Sequence, residues 1–173
     1  MDLRYPIGKF EYTGPLTKSE RNALIEDIDS LPANLRKAVD GLSDEQLETP
    51  YRPGGWTVRQ VVHHLADSHI NSHVRFRLAL TEEQPTIKPY FQERWAELND
   101  ARSAPMHVSL DLLDALHRRW VILLKSLSDA DFSKSFEHPE SGTVTLDRNL
   151  GLYAWHGKHH VAHITALRER MGW

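Results

Sequence analysis

The chain has no cysteine among its 173 residues. That excludes disulfides, thiolate metal ligands and a cysteine nucleophile, so any metal must be held by nitrogen or oxygen. Long apolar runs are also missing. No stretch approaches the roughly 20 residues needed to span a bilayer. The opening MDLRYPIGKFEY lacks the uninterrupted apolar segment of a secretory signal, so a cytoplasmic protein away from membranes is expected. No run rich in lysine or arginine occurs and the formal net charge is −3, so nothing attracts a phosphate backbone and nucleic acid is not an expected partner. No glycine-rich phosphate loop is present, and no Ser/His/Asp order can be argued from spacing. What remains is an ordinary globular composition, 40% hydrophobic and 26% charged. At this length a single domain over residues 1–173 is expected.

Against these absences stands an abundance of histidine. There are 11, and eight fall in two short windows: His63, His64, His69 and His73, then His156, His159, His160 and His163. Imidazole is the commonest metal ligand and the commonest acid–base group near neutral pH. Scattered surface histidines are the plainer explanation, but clustering on two helix-like segments far apart in sequence argues against it.

The patterning is that of an all-α protein. Residues 1 to 16 are punctuated by Pro6, Gly8, Gly14 and Pro15 and read as extended or irregular. A helical pattern follows from about Lys18 to Val39, with Pro32 marking a kink or the junction of two helices. Ser43 and Gln46 have capping-box spacing and predict one short turn. Thr57 and Gln60 repeat that spacing at the head of a helix that continues to about Leu80. Residues 81 to 108 carry three prolines and a weak helical stretch near Phe91 to Leu98, a long connection for a small domain. In a bundle such a connection points to a crossover between the second and third helices. Ser109 is the expected cap of a helix ending near Leu127. A possible hairpin around Pro139 to Gly142 precedes a last helix over Leu146 to Met171. A faint repeat is also visible. Leu42-Ser43-Asp44 and Leu127-Ser128-Asp129 are each followed by a proline, a threonine and a histidine-bearing helix.

Helical phase limits which histidines can converge. Residues four apart share a face, so His156 with His160, and His159 with His163, are the two possible pairs on the last helix. At about 100° per residue, Leu146, Tyr153, Ile164, Leu167 and Met171 fall within roughly 40° of His160. His156 lies about 40° to one side and still faces inward, His163 is further round, and His159 is roughly 100° away. Replacing His63, His159 or His163 should therefore leave most of a bound metal in place. On the other helix, Val58, Val61, Leu65 and Phe76 define the apolar face. His64 borders that face, His69 lies within it and His63 points away. Phase leaves His64 and His69 tied as the third ligand.

The segments Tyr51-Arg-Pro-Gly-Gly-Trp-Thr-Val-Arg-Gln-Val-Val-His-His-Leu-Ala-Asp-Ser68 and Gly151-Leu-Tyr-Ala-Trp-His-Gly-Lys-His-His-Val-Ala-His163 resemble the DinB/YfiT-like superfamily. The likeness is to its YfiT-type metal-dependent hydrolases, and it extends to Tyr5-Pro6-Ile7-Gly8 and Met171-Gly172-Trp173. The resemblance implies a four-helix bundle with a long crossover between helices 2 and 3, a homodimer and a cytoplasmic bacterial protein. It also implies a metal held by the histidine before Leu-Ala-Asp and by the i,i+4 pair of the final helix, here His64, His156 and His160. Some relatives transfer low-molecular-weight thiols such as bacillithiol, so an S-transferase is an alternative to hydrolysis.

Three neutral imidazoles would leave a coordination position for water or a small-molecule substrate, the pattern of catalytic rather than structural zinc. Zn2+ is the expected ion and Ni2+ the alternative, since both suit imidazole. Asp67 lies one turn after His64 and is a candidate orienting acceptor or base. Tyr153, on the face of His156 and His160, is a candidate pocket residue. Trp56 and Trp155 read first as packing residues. A non-catalytic metal-binding module is the remaining reading, because fold does not determine function.

Overall fold

The computed structural model describes residues 2–173, so Met1 of the opening segment lies outside the described residues. Helix α1 (Lys18–Val39) starts where Thr17 and Glu20 cap each other reciprocally. It runs unbroken through Pro32, where the sequence pattern suggested a kink or a junction. Proline has no N–H to give to the carbonyl four residues back. That carbonyl, Ile28, instead accepts from His117 Nδ1 at 2.6 Å, so the gap in the helical ladder is filled from another helix. Ser43 and Gln46 form the predicted capping box of the single-turn α2 (Asp44–Leu47). Thr57 and Gln60 do the same for α3 (Val58–Thr81).

The connection from α3 to the next long helix contains two short pieces, α4 (Gln92–Trp95) and α5 (Asn99–Ser103). Helix α6 (Met106–Ser126) starts three residues before Ser109, directly after Pro105. Ser109 is therefore not its cap; it is buried inside the first turns, with its hydroxyl 2.7 Å from His63 Nδ1. A further turn, α7 (Asp129–Phe132), has its own capping box from Ser128 and Asp131. The expected hairpin is present as β1 (Ser135–His138) and β2 (Gly142–Thr145), antiparallel with Phe136 opposite Val144. Helix α8 (Leu146–Met171) follows, capped by Thr145 and ended by Gly172 in the left-handed region that glycine tolerates (φ 72°). The faint sequence repeat has a structural counterpart. Each half runs long helix, one-turn helix, antiparallel return (Pro50 paired with Thr57, β1 with β2), then a histidine-bearing helix capped by threonine.

The four long helices make the bundle. Helix α1 packs on α6 and α8, and α3 packs on the same two, so the histidine-bearing α3 and α8 are neighbours. Where α1 crosses α8, a Cβ on Gly157 would lie 2.7 Å from Leu31 Cδ2, so any larger residue there would force the Leu31 side chain to shift. Two apolar clusters fill the interior. One gathers Ile28, Phe76, Trp120, Leu146 and Leu150. The other gathers Leu35, Val61, Leu65, Leu113 and Ile164. Along α3, α6 and α8, residues His69, His117 and His156–His163 fall between the stretches that feed the two clusters, so a polar layer divides an otherwise apolar core. No described helix is long and apolar enough to cross a membrane.

A buried ion pair joins α1 to α8, and its carboxylate also anchors the N-terminal segment. Arg21 Nε donates to Asp147 Oδ1 at 2.6 Å, with the two side chains 10% and 5% exposed. Asp147 also accepts from Tyr12 Oη and the Leu16 amide. Removing one partner of such a pair leaves an uncompensated buried charge. Asp147→Ala should therefore lower unfolding free energy by about 3–5 kcal/mol, read from the urea midpoint. An unchanged midpoint would show that Arg21 finds enough compensation in Asp129, its other partner at 2.6 Å.

Candidate metal centre

His64 on α3 and His156 and His160 on α8 each offer a ring nitrogen, and the three atoms lie within 4.8 Å of one another. His64 Nε2 and His156 Nε2 are 3.3 Å apart. Nitrogens held 2.0–2.1 Å from a tetrahedral ion are separated by about 3.3–3.4 Å, so this edge already has the span a zinc-type site requires. The donor chemistry fits as well. Burial holds the His64 imidazole down to about pKa 4. It holds His156 and His160 well below the usual histidine value, with the neighbouring imidazoles adding to the effect. Rings that are neutral at physiological pH present lone pairs to a cation without first losing a proton.

Tyr51, Arg52, Trp56, Trp155 and His159 line, with the three histidines, a cavity of about 310 Å³. Trp56 stands against the His64 ring at 4.5 Å and against His160 at 6.4 Å. Trp155 stacks on His159 at 4.3 Å. Both tryptophans, read from sequence as packing residues, are thus walls of the cavity. Tyr5 and Arg4 reach the same cavity from the irregular N-terminal segment. Nothing in their local sequence pattern marked them as site residues.

The other candidate residues fall as follows. His69, tied with His64 by phase, is fully buried, and both its ring nitrogens face other histidines: Nδ1 is 3.0 Å from His117 Nε2 and Nε2 is 3.2 Å from His156 Nδ1. His63 points away from the apolar face yet is buried, because the Ala104 carbonyl and Ser109 on the far side occupy its two nitrogens. His159 and His163, placed by phase at the flank of the inward stripe, are also buried, at 7% and 2% exposure. Asp67 makes no side-chain hydrogen bond to His64 among the described residues. Its carboxyl is raised to about pKa 6 by burial and by Asp100. Tyr153 packs its ring 5.5 Å from His156 and 5.1 Å from His69, and its hydroxyl accepts from Ser68 Oγ at 3.4 Å. Neither Asp67 nor Tyr153 lines the cavity. The residue that pattern reasoning passed over is His117, a lone histidine within the apolar stripe of α6 and outside both windows.

The model of the DinB superfamily matches residues 27–164. A Bacillus mycoides (strain KBAB4) protein named "Putative metal-dependent hydrolase" is 59% identical over 172 residues, covering 99% of both chains. A Bacillus cereus (strain B4264) protein of the same name is 58% identical over the same span. Among solved structures, YfiT from Bacillus subtilis is described as "a probable metal-dependent hydrolase with an unusual four-helix bundle topology". It superposes with a TM-score of 0.98 at 50% identity, covering 100% of this chain and 99% of that one. The four-helix bundle protein TT2238 aligns with a TM-score of 0.58 at 19% identity over 84% of this chain and 98% of that one, a likeness of fold alone.

Proposed function

The chain belongs to the DinB superfamily, and from that premise we propose that it is a metal-dependent hydrolase in which His64, His156 and His160 hold one divalent cation. The observation that carries this reading is the convergence of three neutral imidazoles, two buried and one half-buried, at the edge of a cavity large enough for a small molecule. Zn2+ is the ion we assign, on the 3.3 Å separation of two of the donors and the all-nitrogen ligand set. Such a cation supplies a Lewis acid that polarises an electrophile and acidifies water or a thiol.

The chain's own residues determine how that chemistry is confined. With only three protein donors the cavity side stays open to substrate, unlike a structural site closed by four. Trp56 covers His64 and His160 and keeps water from that side of the imidazoles. Arg52, whose Nε donates to Tyr51 Oη at 3.2 Å and whose Nη1 donates to the Pro53 carbonyl, fixes a cationic rim that has no carboxylate partner among the described residues. Asp67 and Tyr153 stand outside the cavity and are assigned no step.

The test is turnover of activated esters and amides by Zn2+-loaded protein, run beside a low-molecular-weight thiol paired with an electrophile. Hydrolysis that chelator abolishes and Zn2+ restores is the expected outcome. Chelator-insensitive hydrolysis would remove the metal from the reaction. Turnover confined to the thiol pair would move the activity to S-transfer at the same site.

A further inference from the structure

Three histidines that are not metal ligands, His69, His117 and His163, form two hydrogen-bonded chains, each starting at a backbone carbonyl and ending at a ligand. In the first, His117 Nδ1 lies 2.6 Å from the Ile28 carbonyl. A carbonyl only accepts, so the proton of His117 is on Nδ1. Burial keeps this ring neutral, at 1% exposure, so its Nε2 is an acceptor. It takes its hydrogen bond from His69 Nδ1, 3.0 Å away. The fully buried His69 is then left with Nε2 as acceptor, and this atom is 3.2 Å from His156 Nδ1. The proton of His156 must sit on Nδ1, and its lone pair is on Nε2, the atom that faces His64. The free carbonyl that starts the chain exists because Pro32 has no N–H to occupy it.

The second chain is shorter. His163 Nε2 lies 3.2 Å from the Arg4 carbonyl, so it carries the proton and Nδ1 accepts. His160 Nδ1, 3.3 Å away, is the donor to it. The lone pair of His160 is again on Nε2.

We propose that these two relays, Ile28–His117–His69–His156 and Arg4–His163–His160, are positioning devices that fix the tautomers and ring orientations of both α8 ligands so that each offers Nε2 to the metal. The proposal rests on His64, His156 and His160 being the ligands. The relays are not proton wires, because each ends on a backbone carbonyl, which can accept a hydrogen bond but has no proton to pass on. They also revise what phase alone predicts. His163 is not a bystander, whereas His159, whose Nδ1 has no hydrogen-bond partner among the described residues, belongs to neither chain.

Two measurements test this. In metal-free wild-type protein labelled with 15N-histidine, NMR at pH 8 should place the ring proton on Nδ1 of His69, His117, His156 and His160, and on Nε2 of His163. A proton on Nε2 of either His156 or His160 overturns the proposal for that relay. Zn2+ affinity, measured by chelator competition, should fall about 10–100-fold in His163→Leu, the range typical of losing a partner that orients a ligand. The amide of His163→Gln can accept from His160 Nδ1 and donate to the Arg4 carbonyl, so it should hold affinity within about threefold, as should His159→Leu. Wild-type affinity in His163→Leu, or equal losses in the Leu and Gln variants, would show that the side chain acts only by filling space and would sink the relay. If His163→Leu does not fold, the tautomer spectrum of the wild type decides alone. If wild-type protein binds no Zn2+, the metal assignment fails, while the spectrum still reports separately on the hydrogen-bond chains.

Discussion

Alanine at His64, His156 or His160 should each lower Zn2+ affinity by more than about 100-fold, beyond the 10–100-fold range for residues that only orient a ligand. The reason is stoichiometric. The proposed site has three protein donors, all imidazole, and Glu93, the carboxylate that lines the same cavity, is not among the donor atoms gathered there. Wild-type protein should leave gel filtration with about one metal ion per chain, and the three variants with almost none. A ligand that binds only the folded state stabilises it by RT ln(1 + [L]/Kd), so Zn2+ should raise the melting temperature of the wild type and leave the variants unmoved. His63→Ala separates loss of a donor from loss of any buried histidine, because His63 is occupied by Ser109 and Ala104 and faces away from the centre. The assignment is wrong if any of the three variants retains a full equivalent of metal, or if His63→Ala loses it.

Metal-free protein should unfold sharply on mild acidification. His64, His159 and His163 are each held down to about pKa 4, chiefly by burial, against about 6.5 in the unfolded chain. Burial first and neighbouring imidazoles second also hold His69, His156 and His160 well below the usual histidine value. Above pH 6.5 these rings are neutral in both states and leave stability independent of pH. Below it the unfolded chain takes up protons that the folded chain refuses, so stability falls with pH until the folded values are reached near 4. One pKa unit corresponds to 1.36 kcal/mol, so three such histidines together remove about 4 kcal/mol per pH unit within that window. Against a stability of about 5 kcal/mol, the low end of the usual range, these three alone put the midpoint for unfolding near pH 5, and the other buried rings steepen the loss. Circular dichroism across pH 4 to 8 measures it. A chain without metal that stays folded at pH 4.5 would mean that water or rearrangement lets these rings protonate in place. Added Zn2+ should move the transition to lower pH, because protons and metal compete for the same nitrogens.

Much of the architecture was legible before any coordinates, because the signals that carry it act within a turn or two of the chain. Ser43 with Gln46, and Thr57 with Gln60, announce helix starts by reciprocal side-chain caps that need only their own backbone. The last helix runs from Leu146 to Met171 as its apolar stripe implies, and its phase turns His156 and His160 inward together. The long connection after Thr81 and the hairpin near Pro139 were written in proline and glycine spacing. The same local logic failed at Pro32 and Ser109. Each lies inside a continuous helix, where a histidine from another helix takes up the Ile28 carbonyl that Pro32 leaves free and the Ser109 hydroxyl.

The proposed ligand triplet was within reach of the sequence, since a stacked pair on one helix and a histidine at the border of another's apolar face are statements about each helix alone. Even so, phase left His64 tied with His69, and only the resemblance separated them. What surrounds the triplet could not be read that way. Helical phase gives the direction of a side chain about its own axis, not which neighbour meets it there. His63 points away from the core face and is buried because the α5–α6 junction covers it. His69 sits at the centre of that face and is engaged at both nitrogens because α6 brings His117 to one side and α8 brings His156 to the other. His163 gains its partner from Arg4, 159 residues earlier in the chain. These pairings depend on which helices are adjacent and on how the N-terminal segment lies across them. They arise only when the bundle closes, because a hydrogen bond needs its two atoms within about 3 Å, and no local periodicity specifies a distance between residues that far apart in sequence.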